Sequence, residues 1–182
     1  MKTALLVIDA QESFRVRADW ADTHNPAVLD RIVQLVETAH DRDEPVYWVL
    51  HSEPGSDDVF DPALGHVRLM AELRPRDDEP VIVKTTINAF TSTDLEQRLR
   101  AAGVERLVVC GIRTEQCVET TTRVAADLGF EVAFVVDATT TTAIGELSAA
   151  AIVERTAAVL EAREFATVVT TADVVAGTPA LR

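Results

Sequence analysis

A chain of 182 residues with 47% apolar and 26% charged side chains has the balance of a folded domain rather than a disordered one. That length supports one core without help from disulfides or metal. A formal charge of −13 and a pI near 4.6 exclude binding to nucleic acid by phosphate neutralisation. No apolar run is long enough to span a bilayer, and the stretch before Asp9 lacks a signal-peptide pattern, so a cytoplasmic location with reduced thiols and no membrane partner is expected.

Short apolar runs alternate with segments of helical period along the chain. Ala4–Ile8 reads as the first strand. A helix then opens with Asn25 as N-cap and Pro26 as first residue, turning Val28/Leu29, Ile32, Val36 and Ala39 inward. Val46–Leu50 is the second strand. The gap from Ser52 to Pro80, rich in Pro, Gly and Asp, is too long for a simple connection and is expected to be a lid or an interface insertion (52–80). Val81–Val83 is the third strand. Thr93-Asp94-Leu95-Glu96 reads as a capping box opening a helix that Gly103 closes. After the fourth strand, Arg106–Cys110, a helix with Thr114 as N-cap carries Cys117, Thr121, Val124 and Leu128 on one side and stops at Gly129. The fifth strand is Glu131–Val136, and a helix from Gly145 to Ala162 follows with Leu147, Ala150, Val153, Ala157 and Leu160 at helical spacing. Thr167–Thr170 is the sixth strand, and 171–182 reads as a tail of irregular packing or a subunit-exchange arm.

The strands are rich in Val, Ile and Leu without polar alternation, as strands covered on both faces should be. The expected fold is therefore α/β: residues 1–182 as one three-layer, doubly wound, mainly parallel sheet of about six strands with helices on both faces. Ligands of such sheets bind beyond the carboxyl ends of the strands. That rule gathers Asp9, Lys84 and Cys117, which end or follow the first, third and fourth strands. Hydrolysis of an amide by cysteine needs a sulfur nucleophile, a proton carrier and donors for the oxyanion. Asp9 can carry the proton, Lys84 can hold Asp9, and Cys117 near a helix start is expected to favour thiolate and to offer its own N–H. Cys110 lies in a buried strand, so a disulfide with Cys117 is not expected.

The blocks Leu6-Val7-Ile8-Asp9-Ala10-Gln11, Val83-Lys84 with Asn88-Ala89-Phe90, and Gly111-Ile112-Arg113-Thr114-Glu115-Gln116-Cys117-Val118-Glu119-Thr120-Thr121 resemble the signature blocks of the isochorismatase-like cysteine hydrolases. The resemblance runs over nearly the whole chain, in order and spacing, and implies an Asp9–Lys84–Cys117 triad. It also implies a homodimer or larger homo-oligomer, and a cis peptide at Ile112–Arg113 that puts the Arg113 N–H beside that of Cys117 as the oxyanion hole. Family members that cleave isochorismate lack the cysteine, so its presence implies hydrolysis of a C–N bond in a small amide, ureido or carbamoyl compound. Nicotinamidases hold a metal through an Asp-x-His pair and another histidine after the second strand. Here that region reads Trp48-Val49-Leu50-His51-Ser52-Glu53-Pro54, with His66 alone further on, so no metal and no cofactor are expected.

Phe14, His51, Phe90 and Arg113 are candidate substrate contacts, each with a plainer role as core or surface residue, and Gln11 is expected to brace the loop after Asp9. Arg113 stands where the family often has a small or neutral residue. Facing the pocket it would favour an anionic substrate; pointing away it would form a salt bridge at a subunit contact. Two other readings compete. A receiver-like signalling module would need acidic residues beside the first strand end and an aspartate after the third, where Ala10, Gln11 and Lys84 stand. A catalytically idle oligomeric scaffold would leave an inert Cys117.

Overall fold

The computed structural model describes residues 1–177. The elements in chain order are β1 (Lys2–Ile8), α1 (Glu12–Arg15), a 3₁₀ turn (Ala18–Asp22), α2 (Val28–Asp41), β2 (Val46–His51), a second 3₁₀ turn (Pro62–Leu64), β3 (Val81–Lys84), α3 (Leu95–Ala101), β4 (Val104–Ile112), a π turn (Thr114–Val118), α4 (Glu119–Asp127), β5 (Glu131–Thr140), α5 (Ala149–Ala162), β6 (Thr167–Val169) and α6 (Thr171–Val175). The six strands form one parallel sheet in the order β3-β2-β1-β4-β5-β6, the α/β architecture expected from the alternation of elements. Each predicted strand lies within or within one residue of an observed one.

Side chains alternate across each strand, so the sheet feeds two cores. Leu5, Val7, Trp48, Val108 and Val135 pack under α2 and α6. Leu6, Ile8, Val49, Val109 and Phe134 pack under α3, α4 and α5. β3 is an outer strand bonded only to β2, and its Val81 and Val83 side chains are about half exposed. Among the described residues no helix is long and apolar enough to cross a membrane.

Helix ends depart from the sequence expectations where a tertiary partner claims the capping group. α2 starts at Val28, not Pro26. The Asn25 side chain accepts from the Ala27 N–H and donates to the Asp137 and Thr139 carbonyls, pinning the approach to β5. Before α3, Thr93 accepts from the Leu95 N–H, but Glu96 turns outward to Arg100, so the capping box is not closed. α5 is capped by Ser148 and starts at Ala149; its buried face is Ile152, Val153, Thr156 and Leu160, so Val153 and Leu160 of the expected stripe face inward while Leu147 lies outside the helix and is exposed. The supposed irregular tail contains α6, closed by a Thr170–Asp173 capping box; residues 178–182 of that tail lie outside the described residues.

The 52–80 segment lies along the loop that follows β1. Ala10 accepts from the Met70 N–H, Arg68 from Glu12 and His66 from Ser13, and Phe60, Met70 and Leu73 are buried. Its far end is fastened by Glu79, which accepts from the Trp48 indole at 2.7 Å and contacts His40.

One close approach sets the shape of the site. Gly111 of β4 pairs with Ile8 of β1, and a Cβ on Gly111 would stand 1.9 Å from the Ile8 carbonyl oxygen, at a φ of +129°. Only glycine lets the two backbones meet there. Gly111→Ala is expected to destabilise the fold by about 4 kcal/mol or more, because backbone rather than a movable side chain must shift. Urea unfolding followed by circular dichroism would show it, and a stability equal to that of the unsubstituted protein would refute it.

Candidate active site

The sheet brings Asp9, Lys84 and Cys117 together at its carboxyl edge. Asp9, the first residue past β1, sits at φ +51°, a strained conformation for an aspartate that turns it away from the strand direction. Lys84 is the last residue of β3. Both side chains are fully buried, with Lys84 Nζ 2.8 Å from Asp9 Oδ2. The contact is an ion pair rather than an aligned hydrogen bond, since among the described residues neither Asp9 oxygen receives one. Lys84 Nζ also reaches Cys117 Sγ at 3.4 Å, the Thr86 carbonyl at 3.2 Å and His51 Nδ1 at 3.3 Å. One ammonium thus joins all three predicted residues.

The segment carrying Cys117 differs from the expected helix start. Arg113 holds the N-cap position and residues 114–118 form a π turn before α4 begins at Glu119. The Thr114 hydroxyl bonds Thr139 of β5 instead of capping. The Arg113 carbonyl accepts from Gln116 and Val118 and passes over Cys117, and the Arg113 N–H has no hydrogen-bond partner among the described residues. The Ile112–Arg113 peptide is cis.

The expected thiolate is corrected by burial. Cys117 is 5% exposed. Its burial, and then the adjacent Asp9 charge, push the thiol pKa well up, and Lys84 draws it back only in part. Burial likewise raises Asp9 against the pull of Lys84. Burial thus works against the thiolate expected from the helix start and toward a carboxylate of raised basicity beside it. Cys110 is buried and free, as is Cys117.

Gln11 braces the site: its amide oxygen accepts from the His51 N–H at 2.7 Å and its nitrogen donates to the His51 carbonyl and to Ser13. His51 is not an open substrate contact. With Nδ1 facing the Lys84 ammonium, Nε2 carries the hydrogen and donates to Glu53 at 2.9 Å, and the ring packs edge-on against Phe60. Phe14 is buried edge-on to Phe60. Phe90 stacks on Phe130 in the core between α3 and α4, away from the cleft described next.

Arg113 turns toward a small cleft, and its salt bridge is made within the chain rather than at a subunit contact. Its guanidinium lies 5.7 Å over the Phe14 ring, donates to Asp19 Oδ2 at 2.8 Å and contacts the Thr142 hydroxyl, all within one chain. With Phe14, Asp19, Trp20, Ile112 and Thr142 it lines a small cleft. Asp9, Lys84 and Cys117 do not line that cleft, which is built from the loop after β1, from Ile112 and Arg113 at the end of β4, and from Thr140–Thr142 at the end of β5. Asp19, Phe60 and Glu53 had no sequence signal, being single residues in irregular segments. Among the described residues no group of three or more His, Cys, Asp or Glu side chains is placed to hold a metal ion.

The six-strand parallel sheet thus carries a cysteine, a lysine and an aspartate together at its carboxyl edge. The isochorismatase domain description matches residues 3–173, and the chain belongs to the isochorismatase family. The isochorismatase family protein YddQ of Bacillus subtilis is 34% identical over 145 residues, 79% of this chain and 81% of its own. Streptothricin hydrolase of Streptomyces noursei is 37% identical over 74% of this chain and 48% of its own length. A cysteine hydrolase from Pseudomonas syringae superposes with a TM-score of 0.85 at 26% identity, covering 96% of this chain and 91% of the other.

Alkylation of Cys117 by iodoacetamide should rise with pH as Asp9 ionises, above the ordinary carboxylate range, rather than with a thiol titration. In Asp9→Asn that limb should move to higher pH and the neutral-pH rate should drop about 100-fold, the scale of a lost general base. Peptide mapping by mass spectrometry measures both, and an unchanged neutral rate would remove Asp9 from this role.

Proposed function

We propose that this protein is a cysteine-dependent hydrolase that cleaves a C–N bond of a small non-peptide amide, ureido or carbamoyl compound without a metal. The observation that carries the reading is the single buried ammonium of Lys84, 2.8 Å from Asp9 and 3.4 Å from Cys117. A buried thiol is a poor nucleophile until its proton is removed, and Asp9 is the acceptor at hand.

In the proposed reaction Asp9 takes the Cys117 proton as sulfur attacks the carbonyl carbon. Lys84 stays protonated and offsets negative charge as it passes between carboxylate and sulfur. The N–H groups of Arg113 and Cys117 donate to the developing oxyanion. Collapse breaks the C–N bond, Asp9 returns the proton to the leaving nitrogen, and a thioester on Cys117 remains. Water, deprotonated by Asp9, then attacks the thioester; the acid leaves and the thiol is restored. Similarity to a cysteine hydrolase and to streptothricin hydrolase supports the reaction class.

A screen of small amides and ureido acids for ammonia release tests the reading. Release should fall at least ~10³-fold in Cys117→Ala, as when the nucleophile of a catalytic unit is removed. Intact-mass analysis should show a transient acyl adduct on the unsubstituted protein. Release that persists in Cys117→Ala would overturn the proposal.

A further inference from the structure

Arg113 and Asp19 form a second ion pair next to the first, and the two differ in burial. Asp9 and Lys84 are sealed from solvent, whereas the Asp19 side chain is 37% exposed and that of Arg113 15%. Asp19 belongs to the 3₁₀ turn Ala18–Asp22, in which no residue is buried. This strap crosses the cleft between Arg17, bonded back to Phe14, and His24 and Asn25, bonded to Thr141 and Thr140. The cleft has about 10 Å³ of free space, a single water's worth. A substrate amide seated there has to displace the strap, and with it Asp19.

The two partners fare differently when that happens. Asp19 keeps Arg17 at 3.2 Å and moves into water. Partial burial would raise its pKa, but Arg113 and then Arg17 outweigh that and hold it below its usual value, so it leaves as an anion. Arg113 stays over Phe14 and beside Thr142, mostly out of solvent, with no other acidic partner among the described residues. An uncompensated, largely buried guanidinium is strongly unfavourable. A neutral amide leaves it so, whereas a substrate with its own carboxylate restores the pair in a planar two-oxygen geometry that suits arginine.

We propose that Arg113 is the specificity-determining residue of this hydrolase, selecting amides that also bear a carboxylate, and that Asp19 is the internal counter-ion which the substrate's carboxylate replaces. The proposal rests on the reading of Cys117 as the nucleophile, since that sulfur lies outside the cleft and a substrate attacked there has to reach Arg113, four residues earlier in the chain, with its carboxylate. It also explains how an anion is accepted by a protein of formal charge −13, since the site offers it one cation released from its own partner.

Two isosteric reagents test it, iodoacetate and iodoacetamide, which alkylate sulfur by the same displacement of iodide and differ in one charge. The ratio of their rates at Cys117, iodoacetate over iodoacetamide, should fall at least about tenfold in Arg113→Gln, the size of a lost charge-assisted hydrogen bond. In Asp19→Asn the ratio should rise, because the competing carboxylate is gone. A ratio unmoved in either variant overturns the proposal. A second measurement avoids chemistry at sulfur: in Cys117→Ala, succinamate should raise the melting temperature more than succinamide, and adding Arg113→Gln should abolish the difference. Equal shifts overturn the proposal whatever Cys117 does. If neither reagent alkylates Cys117 while succinamate still discriminates, the anion site stands and the nucleophile assignment fails.

Discussion

A lysine ammonium taken out of water needs a counter-charge and an acceptor for each proton, and the centre of this fold is arranged to meet that need for Lys84. Asp9 supplies the charge, while the Thr86 carbonyl, His51 Nδ1 and Cys117 Sγ surround the remaining protons. Each of these is fixed by something else. Asp9 is turned by its positive φ at a point where β1 and β4 touch through Gly111, His51 is held by Gln11 and Glu53, and Cys117 is carried on the π turn. Four segments distant in sequence thus answer to one charge. Because a buried cation tolerates no gap in its shell, the position of sulfur relative to carboxylate follows from it.

The site holds two cation–carboxylate pairs that differ in burial. The Lys84–Asp9 pair is sealed, which makes it permanent and lets protons move within it without exchange with solvent. The Arg113–Asp19 pair is partly exposed, with its carboxylate on a turn that buries no residue and is held at its two ends. Under the proposed function the buried pair serves transfer of a proton and the partly exposed pair serves discrimination among ligands, so each task has its own cation and carboxylate.

The strands were legible because burial on both faces leaves uninterrupted Val, Ile and Leu runs, and the strand-end rule then picked out Asp9, Lys84 and Cys117 from the sequence. What escaped depends on partners far along the chain. Thr114 has the composition of an N-cap, but its hydroxyl is claimed by Thr139, and the turn becomes a π turn. Phe90 sits in a signature block, yet its ring goes to Phe130. Local spacing shows the helix start beside Cys117 and not the burial that pushes its thiol pKa up. Asp19 was invisible for a simpler reason: it is one of 30 acidic residues, and nothing nearby in sequence marks it as the partner of Arg113.

The place of Lys84 in the sheet has a further consequence. β3 is four residues long, lies at the margin of the sheet and is bonded on one side only. Segments of that kind open at lower free energy than strands bonded on both sides such as β1, β4 and β5. When β3 lifts away, the ammonium leaves with it, and Asp9 and Cys117 are left without their shared cation while the rest of the sheet stays paired. The working life of the site is then set by the fraying of one marginal strand, and a protein that still looks folded by its overall secondary structure can already have lost the charge on which its centre is built.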